Sequence, residues 1–150
     1  MTGTSNRCCE VIGPRLLKGI LRSAGAPPDI ETPSAVVAVP LHPRRLRERG
    51  YNQSALLGRV LAGHFGRRLL SGVLRRTRHT SRQTGLSRTA RRDNVRGAFE
   101  AARPGAVDGL NLLLVDDVMT TGATVDECCK VLKRAGAAKV QVLTLARTVK

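Results

Sequence analysis

Residues 112–124 read LLLVDDVMTTGAT. Two adjacent carboxylates, Asp116 and Asp117, close an apolar run, and a hydroxyl- and glycine-rich turn, Thr120-Thr121-Gly122-Ala123-Thr124, follows two residues later. Each half has its own chemistry. A turn that opens a helix offers unpaired backbone N–H groups and the positive end of the helix dipole, which together cradle a phosphate. Gly122 lets the backbone approach that phosphate closely, and the threonine hydroxyls add donors. A pair of carboxylates one sugar length away suits the vicinal hydroxyls of a ribose, or Mg²⁺ held directly or through water. No lysine follows Gly122, so the GxxxxGK[ST] loop of nucleotide hydrolases is excluded.

A second set of candidates is cationic. Residues 40–52, PLHPRRLRERGYN, follow an apolar run and carry Leu41, His42, Arg44 and Arg45. They read as an anion-binding loop, with a basic surface turn as the plainer alternative. The formal charge is +15, and between Arg44 and Arg103 sixteen arginines stand against three acids, which places +13 in the middle of the chain. Arginine forks bind phosphates bidentately, so the partner expected is a polyanion: a small phosphorylated ligand or nucleic acid. Three aromatic residues supply few platforms for stacking single-stranded bases. The four cysteines form two vicinal pairs, Cys8-Cys9 and Cys128-Cys129, without zinc-knuckle spacing, and read as free thiols. No apolar run approaches the ~20 residues that span a bilayer, and the first ten residues carry no signal-type segment. The expected location is the cytoplasm.

The elements that must position these residues follow from pattern. Residues 11–24 read as a short amphipathic helix and the stretch to Ser34 as a linker, an arm of 34 residues before an α/β domain over 35–150. Residues 35–39, AVVAV, read as a buried strand, and Asn52 as the cap of a helix to about His64 that buries Leu56, Leu57, Val60 and Leu61. LLSGVL at 69–74 reads as a second strand. The arginine-rich residues 75–96 have little to bury and read as mostly mobile, a flexible loop over about 75–97 with a short helix after Ser87. Residues 97–101 read as a strand. Residues 110–115 read as the central strand, Thr124 as an N-cap, and Val125, Cys128, Cys129, Leu132 and Ala135 as the buried stripe of a helix that Gly136 ends. Residues 140–145 return as a strand. Strand, helix, strand at this spacing is a right-handed βαβ unit, so the fold expected is α/β: an open, mainly parallel twisted sheet flanked by helices.

LLLVDDVMTTGAT resembles the phosphoribosyl pyrophosphate (PRPP) motif of type I phosphoribosyltransferases. VPLHPRRLRERGYNQS at 39–54 and RQTGLSRTARRDNVRGAF at 82–99, in that order, are similar to the ComF/GntX-like (competence protein F) branch. The resemblance covers about residues 35–147. It implies that Asp116 and Asp117 hold the ribose hydroxyls, with Mg²⁺ nearby, and that Thr120, Thr121, Gly122, Ala123 and Thr124 bind the 5′-phosphate. Leu41, His42, Arg44 and Arg45 would meet the pyrophosphate. Arg82 and Gln83 fall in the family's flexible loop, and Arg44, Arg45 and Arg82 would act electrostatically rather than as catalytic acids or bases. The activity implied is transfer of a phosphoribosyl group to a base or amine with release of pyrophosphate. The alternative is a non-catalytic PRPP-binding protein in DNA uptake (competence) or nucleic-acid-linked regulation. A homodimer is common among relatives. Thr120 stands where purine-salvage relatives carry an aspartate. No four-cysteine zinc segment precedes Ala35, and only residues 1–34 are available for a reduced hood over the base.

Overall fold

The computed structural model describes residues 10–12, 30–80 and 87–147. In chain order these form β1 (Glu10–Ile12), β2 (Ala35–Ala38), α1 (Pro43–Arg49), α2 (Gln53–Phe65), β3 (Arg68–Leu69), β4 (Leu74–Arg76), α3 (Arg88–Val95), β5 (Phe99–Ala101), a 3-10 turn (Pro104–Ala106), β6 (Asn111–Met119), α4 (Ala123–Arg134) and β7 (Lys139–Arg147). Five strands pair in the order β1-β7-β6-β2-β3, every pair parallel. β4 and β5 form a separate antiparallel ribbon. The expected open parallel sheet is what the chain builds.

The central strands are apolar on both faces because both faces are covered. Leu112 and Leu114 of β6 join Val140 and Val142 of β7 against Val125, Cys128, Cys129 and Leu132 of α4. Leu113, Val115 and Leu143 pack on the other face against Leu61 and Ala62 of α2. Both cysteines of α4 are fully buried and in no disulfide.

Several expectations change. β6 runs on through both aspartates to Met119, because β7 continues beside it and pairs with Asp116, Val118 and Met119. α4 starts one residue before Thr124, with Gly122 at φ 80° in the N-cap position. Residues 10–12 are an edge strand along β7, not the start of a helix; residues 13–24 lie outside the described residues. The run LLSGVL is not one strand. Gly72 (φ 72°) turns the chain between β3 and β4, and β4 leaves the main sheet to pair with β5. Within the basic loop, α1 forms because Pro43 takes a first-turn position, His42 caps it and Gly50 ends it in the left-handed region. In the arginine-rich stretch, β4, the buried Thr80 and α3 with its buried Val95 are ordered elements rather than solvated chain.

The face of α2 is also different. Leu56 and Val60 are exposed, while Ser54, Gly58, Leu61 and Ala62 are buried. Small residues recurring every four positions let the helix lie close to the sheet. A Cβ on Gly58 would sit 3.1 Å from Leu69 Cδ1 and 3.7 Å from the Ala38 side chain. Close approach outweighs the size of the apolar side chains, which is why the wider leucine stripe faces outward.

Gly136 ends α4 as expected. Its φ is +101°, and a Cβ there would lie 2.3 Å from Asp108 Oδ1 and 3.3 Å from Asp108 Cα. Gly136→Ala is therefore expected to cost about 2 kcal/mol, seen as a lower urea midpoint at unchanged m-value. An unchanged midpoint would refute the strain assigned to this turn.

Candidate active site

The acid pair sits where β6 emerges from its apolar run. Asp116 is 8% exposed, and its Oδ1 accepts from Ser54 Oγ at 3.2 Å and from the Asp117 N–H at 3.0 Å. Asp117 is half-buried, and its Oδ1 accepts from the Val118 N–H at 2.9 Å. Burial pushes the Asp116 carboxyl up to about 7, and the neighbouring charge of Asp117 pushes the same way; the Ser54 hydroxyl pulls against them. A carboxyl poised there gains most from a ligand that brings a hydroxyl donor or a cation. Below the pair, Cys128 is fully buried, and burial and the Asp116 charge push its thiol up, so it behaves as core rather than as a nucleophile. Thr144, paired with Asp116 in the β6–β7 register, has a buried hydroxyl without a hydrogen-bond partner among the described residues.

The turn after β6 places Thr120 at the surface and Thr121 and Gly122 half-buried. Thr121 Oγ1 accepts from the Ala123 N–H at 3.4 Å, and the Gly122 carbonyl accepts from the Asp126 N–H at 2.8 Å. The turn thus hands over directly to a twelve-residue helix whose N-terminus lies beside the acids. That is the geometry of an anion cradle.

A cationic wall faces it. His42 Nδ1 accepts from the Arg44 N–H at 3.2 Å, so its ring carries no proton there. Loss of hydration, then the nearby His79, Arg76, Arg47 and Arg44, hold His42 below the ordinary imidazole range. The His42 and His79 rings meet edge to face at 5.2 Å. Arg44 is exposed and pairs with Glu48 at 3.4 Å, whereas Arg45 is half-buried. Arg76 is the residue the sequence reading missed. Its guanidinium lies over the Phe99 ring at 5.2 Å, donates to Thr80 Oγ1, and keeps a buried Nε without a partner among the described residues. Burial, then Arg45, lowers its affinity for its proton, while Asp116 raises it. Arg76 therefore feels the charge of both the basic loop and the acid pair. Its place follows from strand alternation in β4, where Arg75 points out to Glu100 and Arg76 takes the other face.

Leu41 stands half-buried after β2, so His42, Arg45, Asp116, Asp117 and the Thr120–Thr124 turn all gather at the same sheet end. Arg82 and Gln83 lie outside the described residues. Among the described residues no three His, Cys, Asp or Glu side chains converge as a metal cage. Two carboxylates fit Mg²⁺ in its usual manner, with the remaining ligands from phosphates and water. No helix of the described residues is long and apolar enough to cross a membrane.

An acid-tipped parallel strand, a threonine–glycine turn into a helix and a cationic loop from the adjacent strand define a domain of the type I phosphoribosyltransferase class. Residues 55–149 match the model of the phosphoribosyl transferase domain, and the chain belongs to that family, in its ComF-like branch. It is 45% identical over 127 residues to the DNA utilization protein YhgH of Salmonella typhi, covering 85% of this chain and 53% of that protein. It is 38% identical over 134 residues to competence protein F of Haemophilus influenzae, covering 89% and 58%. The chain spans about half the length of the curated relatives it matches. The fold superposes on glutamine phosphoribosylpyrophosphate amidotransferase from B. subtilis complexed with ADP and GMP, with a TM-score of 0.54 and 25% identity, over 84% of this chain and 24% of that one.

Proposed function

We propose that this chain binds PRPP and transfers its phosphoribosyl group to a base or amine, releasing pyrophosphate. The observation that carries the reading is the buried, hydrogen-bonded Asp116 beside Asp117, set between a helix-opening turn and a cationic wall. Asp116 and Asp117 take the ribose hydroxyls. Thr120, Thr121, Gly122, Ala123 and Thr124 take the 5′-phosphate. Leu41, His42, Arg44 and Arg45 take the pyrophosphate, with Arg76 added because it feels the charge of both Arg45 and Asp116. Asp116 and Asp117 would also hold Mg²⁺, which supplies charge neutralisation for the phosphates when bound. Arg82 and Gln83 belong to this reading as the lid that excludes water.

In the reaction the bond from the anomeric carbon to the pyrophosphate oxygen breaks, the acceptor nitrogen bonds to that carbon, and its proton passes to solvent. Positive charge develops on the ribose and negative charge on the leaving group. Fixed guanidinium groups aimed at the leaving group lower that barrier without reorganising. The cytoplasm, where PRPP is made and used, is the matching location.

A second reading is a PRPP-binding protein without transfer activity that acts with DNA. The uneven charge, +13 between Arg44 and Arg103, favours it, as do the names of the relatives. Calorimetry with PRPP and Mg²⁺, followed by a pyrophosphate-release panel across nucleobases, separates the cases. Heat with release supports the transferase; heat without release on any base supports the binder. No heat at millimolar PRPP overturns both.

A further inference from the structure

The acid pair is not held by its own strand alone. Ser54, in the first turn of α2, is 4% exposed and lies 62 positions before Asp116. Its hydroxyl donates to Asp116 Oδ1 at 3.2 Å and accepts at 3.2 Å from the Asp117 N–H, which it shares with Asp116 Oδ1 at 3.0 Å. One side chain thus meets the carboxylate of Asp116 and the backbone of Asp117. Ser54 is itself held. Asn52 Oδ1 accepts from the Ser54 N–H at 3.0 Å, while Asn52 Nδ2 donates to the Val39 carbonyl at 3.0 Å. The Val39 N–H donates to the Val115 carbonyl at 2.9 Å, one residue before Asp116, so the contacts close a ring.

The ring runs from β2 through the end of the basic loop into α2, across to β6 and back. A helix cap needs only Asn52, and an ordinary strand end needs no buried hydroxyl beneath it. Burying a serine hydroxyl and a carboxylate together is costly unless each satisfies the other. We propose that Ser54, braced by Asn52, is a positioning residue that sets the acid pair in register with the cationic loop on residues 40–52. The ribose end and the pyrophosphate end of one ligand are then met by a single rigid frame. For its ligand this inference rests on the PRPP reading; for the brace it does not.

The test uses the full chain with Ser54→Ala and Ser54→Thr, and three probes in calorimetry with Mg²⁺: PRPP, ribose 5-phosphate and inorganic pyrophosphate. Ser54→Ala is expected to weaken PRPP and ribose 5-phosphate about tenfold, the scale of one hydrogen bond to a charged group, and pyrophosphate by less than about twofold. Ser54→Thr keeps the hydroxyl and is expected to restore both. A ligand-free measurement runs beside it: Asp117 amide hydrogen exchange is expected to speed about tenfold in Ser54→Ala and not in Ser54→Thr. Equal losses for all three probes, an unchanged ribose 5-phosphate affinity, or unchanged Asp117 exchange would each overturn the proposal. If the wild type bound none of the probes, the PRPP reading would fall, and the exchange result alone would decide the brace.

Discussion

Asp116→Asn combined with Asp117→Asn is expected to abolish PRPP binding in calorimetry while the protein stays folded. In the proposed complex each carboxylate accepts from a ribose hydroxyl. A hydrogen bond to a charged group contributes about 1.5–3 kcal/mol, so losing both predicts an affinity loss of at least a hundredfold. The fold should tolerate the change. The amide oxygens of the substitutes still accept from Ser54 Oγ and from the Val118 N–H, the partners that Asp116 and Asp117 have now. Two like charges at one strand end are also removed. A double variant that kept PRPP affinity within about tenfold would remove the acids from the ribose site. One that failed to fold would show instead that they are structural.

The second large effect concerns pH and stability, and its sign follows from Asp116. Its carboxyl is pushed up from 3.8 to about 7, by burial first and by Asp117 second. Between those values the folded chain holds a proton that the unfolded chain has released. The contribution of Asp116 is therefore fully present below the ordinary carboxylate value and is lost as pH rises through about 7. Relative to Asp116→Asn, the wild type should lose on the order of 1.4 kcal/mol of stability per pH unit between about 4 and 7, and no more above about 8. Urea midpoints of both proteins at pH 5, 6, 7 and 8 measure this, the difference between them cancelling every other titrating group. A difference that does not change with pH would contradict the burial assigned to Asp116. A ligand that needs the ionised carboxyl should in turn bind more tightly as pH rises toward 7.

These effects converge on one arrangement, in which an anion cradle, an acid pair and a cationic wall share the C-terminal end of a parallel sheet. In open α/β sheets that end is where helix N-termini and strand-following loops collect. Arg76 joins the wall from outside the main sheet, through the β4–β5 ribbon. The ribbon's stem is held by the Thr77 N–H donating to the Ala98 carbonyl at 2.9 Å, and by Arg78 donating to the Arg96 carbonyl at 2.6 Å. α3 is tied to the sheet helix by the Gly97 N–H donating to Glu127 Oε1 at 3.0 Å.

What the amino-acid sequence determined by itself is the part encoded locally. The run LLLV, apolar at every position and short, fits a strand covered on both faces. The spacing of Val125, Cys128, Cys129 and Leu132 makes one helical stripe, and Gly136 supplies the only backbone that fits its φ of +101°. Glycine and threonines between strand and helix mark a turn before any contact is known. The tertiary structure decided what depends on partners far away in the chain. Leu56 and Val60 face outward because Ser54, Gly58 and Ala62 let α2 settle closer to the sheet than leucines would. β6 extends through Asp116 and Asp117 because β7 runs beside them, and Arg76 reaches the site because β4 pairs with β5 rather than with the main sheet. The acids are poised by Ser54, 62 positions earlier. Periodicity and capping are properties of neighbouring residues, whereas burial, register and a shared hydrogen bond exist only once distant segments have met.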